Sequence, residues 1–316
     1  MNRRGSAAPL VTLGCMNFGK RTSETESRRI LERALERGVR TFDTANVYND
    51  GASERILGEA LRGQCDVFVA TKVGLDGLFR GKAEGLGHTT VIGALERSLE
   101  RLKMDRIALY YLHAPDHRTP FDETLDALTE LHQAGRIERF GVSNFSSWSV
   151  LEMIHACDAR KVPRPVASQV LYNAAVRQIE LEHLAFCEKY AVHVTVYNPL
   201  AGGLLVGTVK RGETPTAGTR FATNRLYPRR YLTDRMLKFA EAFCHLAASE
   251  QRSMVDLAYG WIAAQSRVDS ILIGPASVAH LDAALDALAR PLPESTRTAI
   301  AQLQRDFDGT DATYAR

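Results

Sequence analysis

Four side chains suggest a reaction before any element is assigned: Asp43, Tyr48, Lys72 and His113. Lys72 closes the apolar run VFVATK, so its ammonium requires a counter-charge, and Asp43, which closes the run TFD, is the candidate. Tyr48 lies five residues beyond Asp43. A phenol, with an unperturbed pKa of about 10, is a poor acid at neutral pH. A nearby ammonium stabilises the phenolate and lowers that value. The imidazole of His113 can donate a hydrogen bond to a carbonyl oxygen. Together the four would protonate a carbonyl oxygen as hydride arrives at its carbon. Such chemistry needs a hydride donor, hence a nicotinamide cofactor. Ser143, Asn144 and Gln169 can bind a carboxamide, and Tyr197 offers a ring to stack on nicotinamide.

Each residue alone has a plainer reading. Lys72–Asp43 could be an ion pair that only closes a barrel mouth. Tyr48 could be an ordinary loop aromatic and His113 a hydrogen-bonded core histidine. Ser143-Asn144 also reads as a helix cap, and Gln169 as filler.

These residues must be brought together by the elements that carry them. Short apolar segments rich in β-formers occur at 11–15, 41–43, 67–72, 107–113, 139–142, 166–170, 193–197 and 270–273. Most are continuous rather than alternating, as expected of parallel strands covered on both faces. Amphipathic stretches at 27–37, 54–61, 89–102, 122–134, 147–156 and 177–189 have helical spacing. Strand and helix alternate throughout, which predicts βαβ units. Eight units in one chain suit an α/β fold of the (β/α)8 TIM-barrel type, a single domain over 1–316. The rival, a doubly wound open sheet, would usually carry GxGxxG after its first strand, and none is there. The candidate residues fall at predicted carboxyl ends of strands, where such barrels place their sites. Residues 203–231 form a long loop after the seventh strand, and 291–316 reads as a further helix and a tail.

Composition is that of an ordinary globular protein: 45% hydrophobic, 24% charged and a net charge of +3. The charge is spread along the chain, so neither nucleic acid nor a membrane surface is an expected partner. The basic N-terminus MNRRGSAAPL lacks an apolar signal core, and no run is long enough to span a membrane. Five scattered cysteines without a CxxC fit reduced thiols, so a cytoplasmic location is expected. His113 and His117 bracket Asp116 in a metal-like spacing, but the proline between them disfavours a helix and no third ligand is evident, so no metal is expected. Phe18, Trp148 and Tyr231 are candidate walls of an apolar pocket.

The motifs FDTANVYNDGASERILGEAL, TKVG, LYYLHAPDH, GRIERFGVSNFSSW and YNPLAGGLLVG resemble those of the aldo-keto reductases, from LGCMNFG to ILIGPAS. YLHAPDH and YNPLAGGLL look most like the aflatoxin-aldehyde and succinic-semialdehyde reductase branch, related in turn to potassium-channel β subunits. The resemblance implies Asp43, Tyr48, Lys72 and His113 as catalytic tetrad, with Tyr48 the general acid. It implies an NADPH-dependent reduction of an aldehyde or ketone to an alcohol, with a small carbonyl compound as substrate. Nicotinamide contacts are implied for Ser143, Asn144, Gln169 and Tyr197. Phosphate contacts are implied for the turn Asn198, Pro199, Leu200, Ala201 and Gly202 and for Arg220, and adenosine-end contacts near Gly274 and Ser277. Tyr227 and Arg230 fall where the related branch builds substrate loops, and Arg316 resembles its carboxylate-contacting tail arginine. Where that branch carries Gly-x-Ser and then Gln and Asn, this chain has Ala276, His280 and Ala284. His280, Arg220 and Arg225 could still bind a 2′-phosphate, so NADP(H) is expected first and NAD(H) stays open. Dimers occur in the branch, which admits a homodimer. The channel-subunit kinship leaves a second reading, a cofactor-binding regulatory or scaffold protein with little turnover.

Overall fold

The computed structural model describes residues 9–75, 84–209, 212, 213, 215, 219–223 and 226–310. Eight strands close into a barrel in chain order. They are β1 (Leu10–Gly14), β2 (Thr41–Asp43), β3 (Phe68–Val73), β4 (Leu109–Leu112), β5 (Phe140–Ser143), β6 (Ala167–Leu171), β7 (His193–Tyr197) and β8 (Ser270–Ile273). Every neighbouring pair is parallel, and β8 closes on β1. The expected (β/α)8 architecture is the one observed. The expected strands at 41–43, 193–197 and 270–273 coincide with β2, β7 and β8, and the other five shift by one or two residues at each end.

The continuous apolar runs are explained by two separate cores. A large cluster that includes Phe42, Val69, Tyr110 and Val142 lies between the strands and the surrounding helices. Ala70, Leu109, Tyr111 and Ala167 form a small second cluster. They alternate with the first set along the strands and therefore face the barrel interior. Lys72 and Gln169 stand two residues beyond Ala70 and Ala167, on the same strand faces. The apolar floor thus gives way to polar groups toward the carboxyl ends.

The helices follow from ordinary local signals. Glu24–Glu36 opens on Ser23, whose side chain accepts from the Glu26 amide, and carries Glu24 and Glu26 in its first turn. It stops before Gly38, which has φ +81°. His88–Leu102 buries Val91, Ala94, Leu95, Ser98, Leu99 and Leu102 on one stripe. The stretch expected as one helix at 177–189 is broken into a 3-10 turn, Gln178–Glu180, and a helix, His183–Lys189. Glu180 is held by Arg177 at 2.7 Å and by the Tyr172 hydroxyl at 2.5 Å, so tertiary contacts override the periodicity there. The expected loop at 203–231 contains two short helices, Arg220–Thr223 and Leu226–Tyr231. The helices Asp234–Ser249 and Met254–Ala263 complete the crossing from β7 to β8. The C-terminal helix is Glu294–Asp308, and the expected tail from 311 lies outside the described residues.

The helix Ala52–Ala60, which follows the Tyr48 loop, packs against the end of His88–Leu102 through a glycine. A Cβ at Gly58 would lie 2.4 Å from the carbonyl oxygen of Leu102, a backbone atom that cannot swing aside. Overpacking of this kind costs about 1–3 kcal/mol, whereas Ala in place of Gly gains about 1 kcal/mol of helix propensity. Gly58→Ala is therefore expected to lower the urea midpoint at unchanged m-value. A raised midpoint would mean that propensity wins and the helices do not meet this closely.

Candidate active site

The carboxyl ends of the strands surround a cavity of about 600 Å³. Asp43, Tyr48 and His113 line it together with Arg220, Gly274 and His280. Lys72 lies behind the wall, fully buried on β3. Its ammonium is ion-paired with Asp43 Oδ1 and donates to the Thr44 carbonyl at 2.7 Å. Tyr48 Oη stands 3.5 Å from Lys72 Nζ and 3.4 Å from His113 Nε2. The phenol and imidazole rings meet edge to face, with centroids 5.6 Å apart. The four residues come from β2, the loop after it, β3 and the residue following β4. The pairing of β2 with β3 and of β3 with β4 brings them together at one rim of the barrel.

Tyr48 is held by the strained loop that carries it. Asn49 and Asp50 have φ of 52° and 55°, an unusual conformation that short polar side chains tolerate best. Asn49 Nδ2 donates to the carbonyls of Phe18 at 2.7 Å and Met16 at 3.0 Å, tying this loop to the one after β1. Beneath it the buried Glu54 accepts from Thr71 at 2.6 Å and from Arg101 at 2.6 Å, locking the following helix to β3.

Burial dominates the electrostatics. It pushes Asp43 up, against the Lys72 charge and the hydrogen bonds from Lys72 and Gln169, and pushes Lys72 down, against Asp43. The Tyr48 hydroxyl is driven well above the usual phenol range, first by burial and then by the Asp43 charge. Sequence reasoning expected the opposite direction, with the ammonium lowering the phenol. The correction has a physical cause: Lys72 is neutralised by Asp43, leaving little field to offset desolvation. His113 is held well below the ordinary imidazole range by burial and then by Lys72. The resting site therefore presents a protonated phenol beside a neutral imidazole. His113 Nδ1 is buried without a hydrogen-bond partner.

Around this centre the expected carboxamide binders form one network. Ser143 Oγ donates to the Gln169 carbonyl at 3.0 Å. Asn144 Nδ2 donates to Ser143 Oγ at 3.1 Å and to the His113 carbonyl at 2.9 Å. Tyr197 Oη donates to Asn144 Oδ1 at 2.7 Å. Asn144 and Asn198 both turn the chain in left-handed conformations, with φ of 64° and 65°, directly after β5 and β7. Ser143, Asn144, Gln169, Tyr197, Asn198, Leu200 and Gly202 all line the cavity.

Cationic groups gather elsewhere on the wall. Arg220 donates to Tyr227 Oη at 3.1 Å and to Asn17 Oδ1 at 3.4 Å, and its guanidinium lies over the Tyr227 ring. Its Nε is buried without a partner. Gly202 makes room for that ring, since a Cβ there would lie 2.3 Å from Tyr227 Cδ1. Arg230, Gly274 and His280 also line the cavity, as does Ala276, which offers only a methyl group. Ala284 is buried in the core.

Other expected residues lie elsewhere. Phe18 is in the hydrophobic core, fully buried, and does not face the cavity; its ring packs inward from the turn that Asn49 clips. Ser277 caps the helix Val278–Leu288, its hydroxyl accepting from the His280 amide at 3.2 Å. Trp148 is 58% exposed on a barrel helix, and Tyr231 is buried, hydrogen-bonded by Asn198 at 2.7 Å. Arg225 and Arg316 lie outside the described residues. Arg21, missed in the sequence, lines the cavity, and burial and the nearby Arg220 charge lower its pKa. It follows β1, so the rule that sites occupy carboxyl ends of strands would have found it. Asp116, between the two histidines of the metal-like motif, is spent on the Leu86 and Arg118 amides and the Thr119 hydroxyl. Among the described residues no cluster of three His, Cys, Asp or Glu could hold a metal.

The sequence matches the Aldo/keto reductase family over residues 10–305. It is 41% identical over 215 residues to mouse (Mus musculus) aflatoxin B1 aldehyde reductase member 2, an alignment covering 66% of this chain and 57% of that protein. With the rat (Rattus norvegicus) protein of the same name it is 35% identical over 303 residues, 89% of this chain and 81% of the relative. A probable voltage-gated potassium channel subunit beta of rice (Oryza sativa subsp. japonica) is 30% identical over 286 residues, covering 87% of this chain and 85% of that one. With a closed eight-stranded barrel and a family match across nearly all of it, the chain belongs to the aldo/keto reductase family of oxidoreductases.

Proposed function

We propose that the protein binds a nicotinamide dinucleotide, NADP(H) in preference to NAD(H), and reduces an aldehyde or ketone to an alcohol with Tyr48 as general acid. The observation that carries this reading is the Tyr48 hydroxyl on the cavity wall, within 3.5 Å of Lys72 Nζ and 3.4 Å of His113 Nε2. The cavity suits such a cofactor. Arg220 brings a buried Nε with no partner, and Arg21 shares its surroundings; paired guanidinium groups suit phosphate. Ser143, Asn144, Gln169 and the Tyr197 ring would hold the nicotinamide, and Arg220, His280 and the Asn198–Gly202 turn the phosphates. When bound, the nicotinamide supplies hydride to the substrate carbon.

The chain's own part is the proton. A carbonyl oxygen seated between Tyr48 Oη and His113 Nε2 takes two hydrogen bonds, provided the neutral imidazole carries its proton on Nε2. As charge develops on that oxygen, the Tyr48 proton moves to it. The phenolate left behind faces Lys72, whose charge matters most at that moment. High resting acidity is unnecessary, because the acid must be protonated at rest and stabilised only in transit.

Substrate groups remain a matter of the cavity wall. Tyr227 and Arg230 line it, and an anionic or polar substituent would suit Arg230. Ala276 and Ala284 offer no polar group, so selection of a 2′-phosphate would fall to His280 and the arginines. The rice relative supports the second reading, a cofactor-bound regulatory subunit. That reading gives no reason for all four of Asp43, Tyr48, Lys72 and His113 to be assembled.

Tyr48→Phe should leave the NADPH dissociation constant nearly unchanged and lower kcat by about 10²–10⁴-fold. Unchanged turnover would remove Tyr48 from the reaction. Lys72→Met should move the basic limb of the kcat profile to higher pH or abolish turnover, because the phenolate loses its stabilising charge. A wild-type profile would refute that role. Oxidation of NADPH and NADH over a panel of aldehydes, diketones and sugars, including succinic semialdehyde, tests the function itself. Tight cofactor binding with no turnover on any compound would favour the regulatory reading.

His113 provides a check independent of turnover. A folded-state pKa below the unfolded value means that this residue's contribution to stability is lost as pH falls below about 6.5, where the unfolded chain takes up the proton first. Imidazole nitrogen NMR should show His113 neutral throughout pH 5.5–8. Titration near the ordinary histidine value would show that burial does not control it.

A further inference from the structure

A lysine ammonium has three N–H donors and accepts nothing. Those of Lys72 go to Asp43 Oδ1, to the Thr44 carbonyl at 2.7 Å and toward Tyr48 Oη at 3.5 Å. Once the first two are held, rotation about the Cε–Nζ bond is fixed and the third N–H is aimed at the phenol. The direction of the Thr44 carbonyl therefore matters to Tyr48. β2 ends at Asp43, so strand register does not set that direction. The Thr44 amide donates to the Ala70 carbonyl at 2.9 Å, but the next backbone tie, from the Asn46 amide to the Lys72 carbonyl, is longer at 3.2 Å.

The side chain of Thr44 supplies a further anchor. Thr44 is fully buried, as is Ser53 in the first turn of the helix Ala52–Ala60. Their hydroxyl oxygens lie 2.8 Å apart, and Ser53 Oγ lies 2.8 Å from the Cys15 carbonyl. A carbonyl only accepts, and each hydroxyl has one proton to give. Both bonds form only if Thr44 donates to Ser53 and Ser53 donates to Cys15. The Cys15 end is anchored in turn, since its amide donates to the Asp43 carbonyl at 2.8 Å. This directional chain joins the loop after β1, the residue after β2 and the helix that follows the Tyr48 loop. Neither Thr44 nor Ser53 lines the cavity. Replacing both partners of a buried hydrogen bond by apolar groups of similar shape is nearly neutral for stability, so packing alone gives no reason for two hydroxyls here.

We propose that Thr44 and Ser53 are positioning residues: their hydroxyl bond aims the Thr44 carbonyl at Lys72 and so turns the third N–H of the ammonium toward Tyr48. The proposal rests on the reading of Tyr48 as the acid. The titratable groups that face Lys72 are Asp43, Cys15 beyond β1, Glu54 on the helix Ala52–Ala60, Tyr48 and His113 beyond β4. None of them is replaced in the variants that test Thr44 and Ser53.

Thr44→Val keeps the branched shape and removes the hydroxyl. Compared with wild type, it should leave the NADPH dissociation constant and substrate KM within about twofold and lower kcat about tenfold, the rate equivalent of one hydrogen bond. The Lys72 signal in lysine ¹³Cε NMR, assigned by its loss in Lys72→Met, should titrate at lower pH than in wild type, because the ammonium loses an aligned acceptor. Thr44→Ser restores the hydroxyl and should recover most of both changes. Ser53→Ala should reproduce them, and Thr44→Val combined with Ser53→Ala should be no worse than Ser53→Ala alone. A kcat and a Lys72 titration equal to wild type in Thr44→Val would overturn the proposal, as would additive losses in the double variant or no recovery in Thr44→Ser. Should Thr44→Val fail to fold, Ser53→Ala removes the acceptor of the same hydroxyl and must move the titration in the same direction. If wild-type protein reduces no carbonyl, the functional reading fails. The Lys72 titration then still decides whether Thr44 positions the ammonium.

Discussion

The molecule is organised around a lysine charge with no access to water. Removing an ammonium and a carboxylate from solvent costs about several kcal/mol per ion, and the cost is recovered only with good geometry and further hydrogen bonds. Lys72 meets that condition through Asp43 and the Thr44 carbonyl, and Asp43 through Lys72 and Gln169. The groups belong to β2, β3 and β6 and to the residue after β2, so no fragment of the chain can satisfy the pair. Losing one partner of such a pair typically costs about 3–5 kcal/mol. The constraint thus links barrel closure to the condition of the site.

Tyr48 shows how the barrel fixes a loop residue. Its loop takes two left-handed non-glycine residues and is clipped to the chain after β1 by Asn49. The buried Glu54, bonded to both Thr71 and Arg101, pins the next helix to the outside of β3. Thr71 points outward and Lys72 inward from adjacent positions, so a single strand holds the phenol's support on one face and its charged neighbour on the other. Phe18 contributes from the core, as a packing residue under that clip rather than as a wall of the cavity.

The cavity itself is electrically divided. Around Tyr48 and His113 the resting groups are neutral, because burial raises the phenol and lowers the imidazole. Arg21, Arg220 and Arg230 bring positive charge to other parts of the wall. In the proposed function this division is useful: anionic parts of a ligand are drawn to the arginines, and the reacting end stays free of permanent net charge that would have to reorganise.

Much of this was legible in the chain. Continuous apolar runs, alternating with helical stripes, marked eight strands because parallel strands are covered on both faces, and polar residues ending those runs marked the site. Helix 177–189 misled because Glu180 answers to Tyr172 and Arg177, partners that periodicity cannot show. Phe18 and Ser277 looked like wall or ligand residues, but packing and capping claimed them. Arg21 passed unnoticed because it lies beyond the first strand, outside any apolar run. Strand order, residue types and the identity of the four central side chains were therefore written in local pattern, which depends on neighbours in sequence. The direction of the Tyr48 shift, the orientation of Gln169 and the partners of Lys72 were settled only by the closed barrel, because desolvation and hydrogen bonding depend on which groups from distant strands exclude water together.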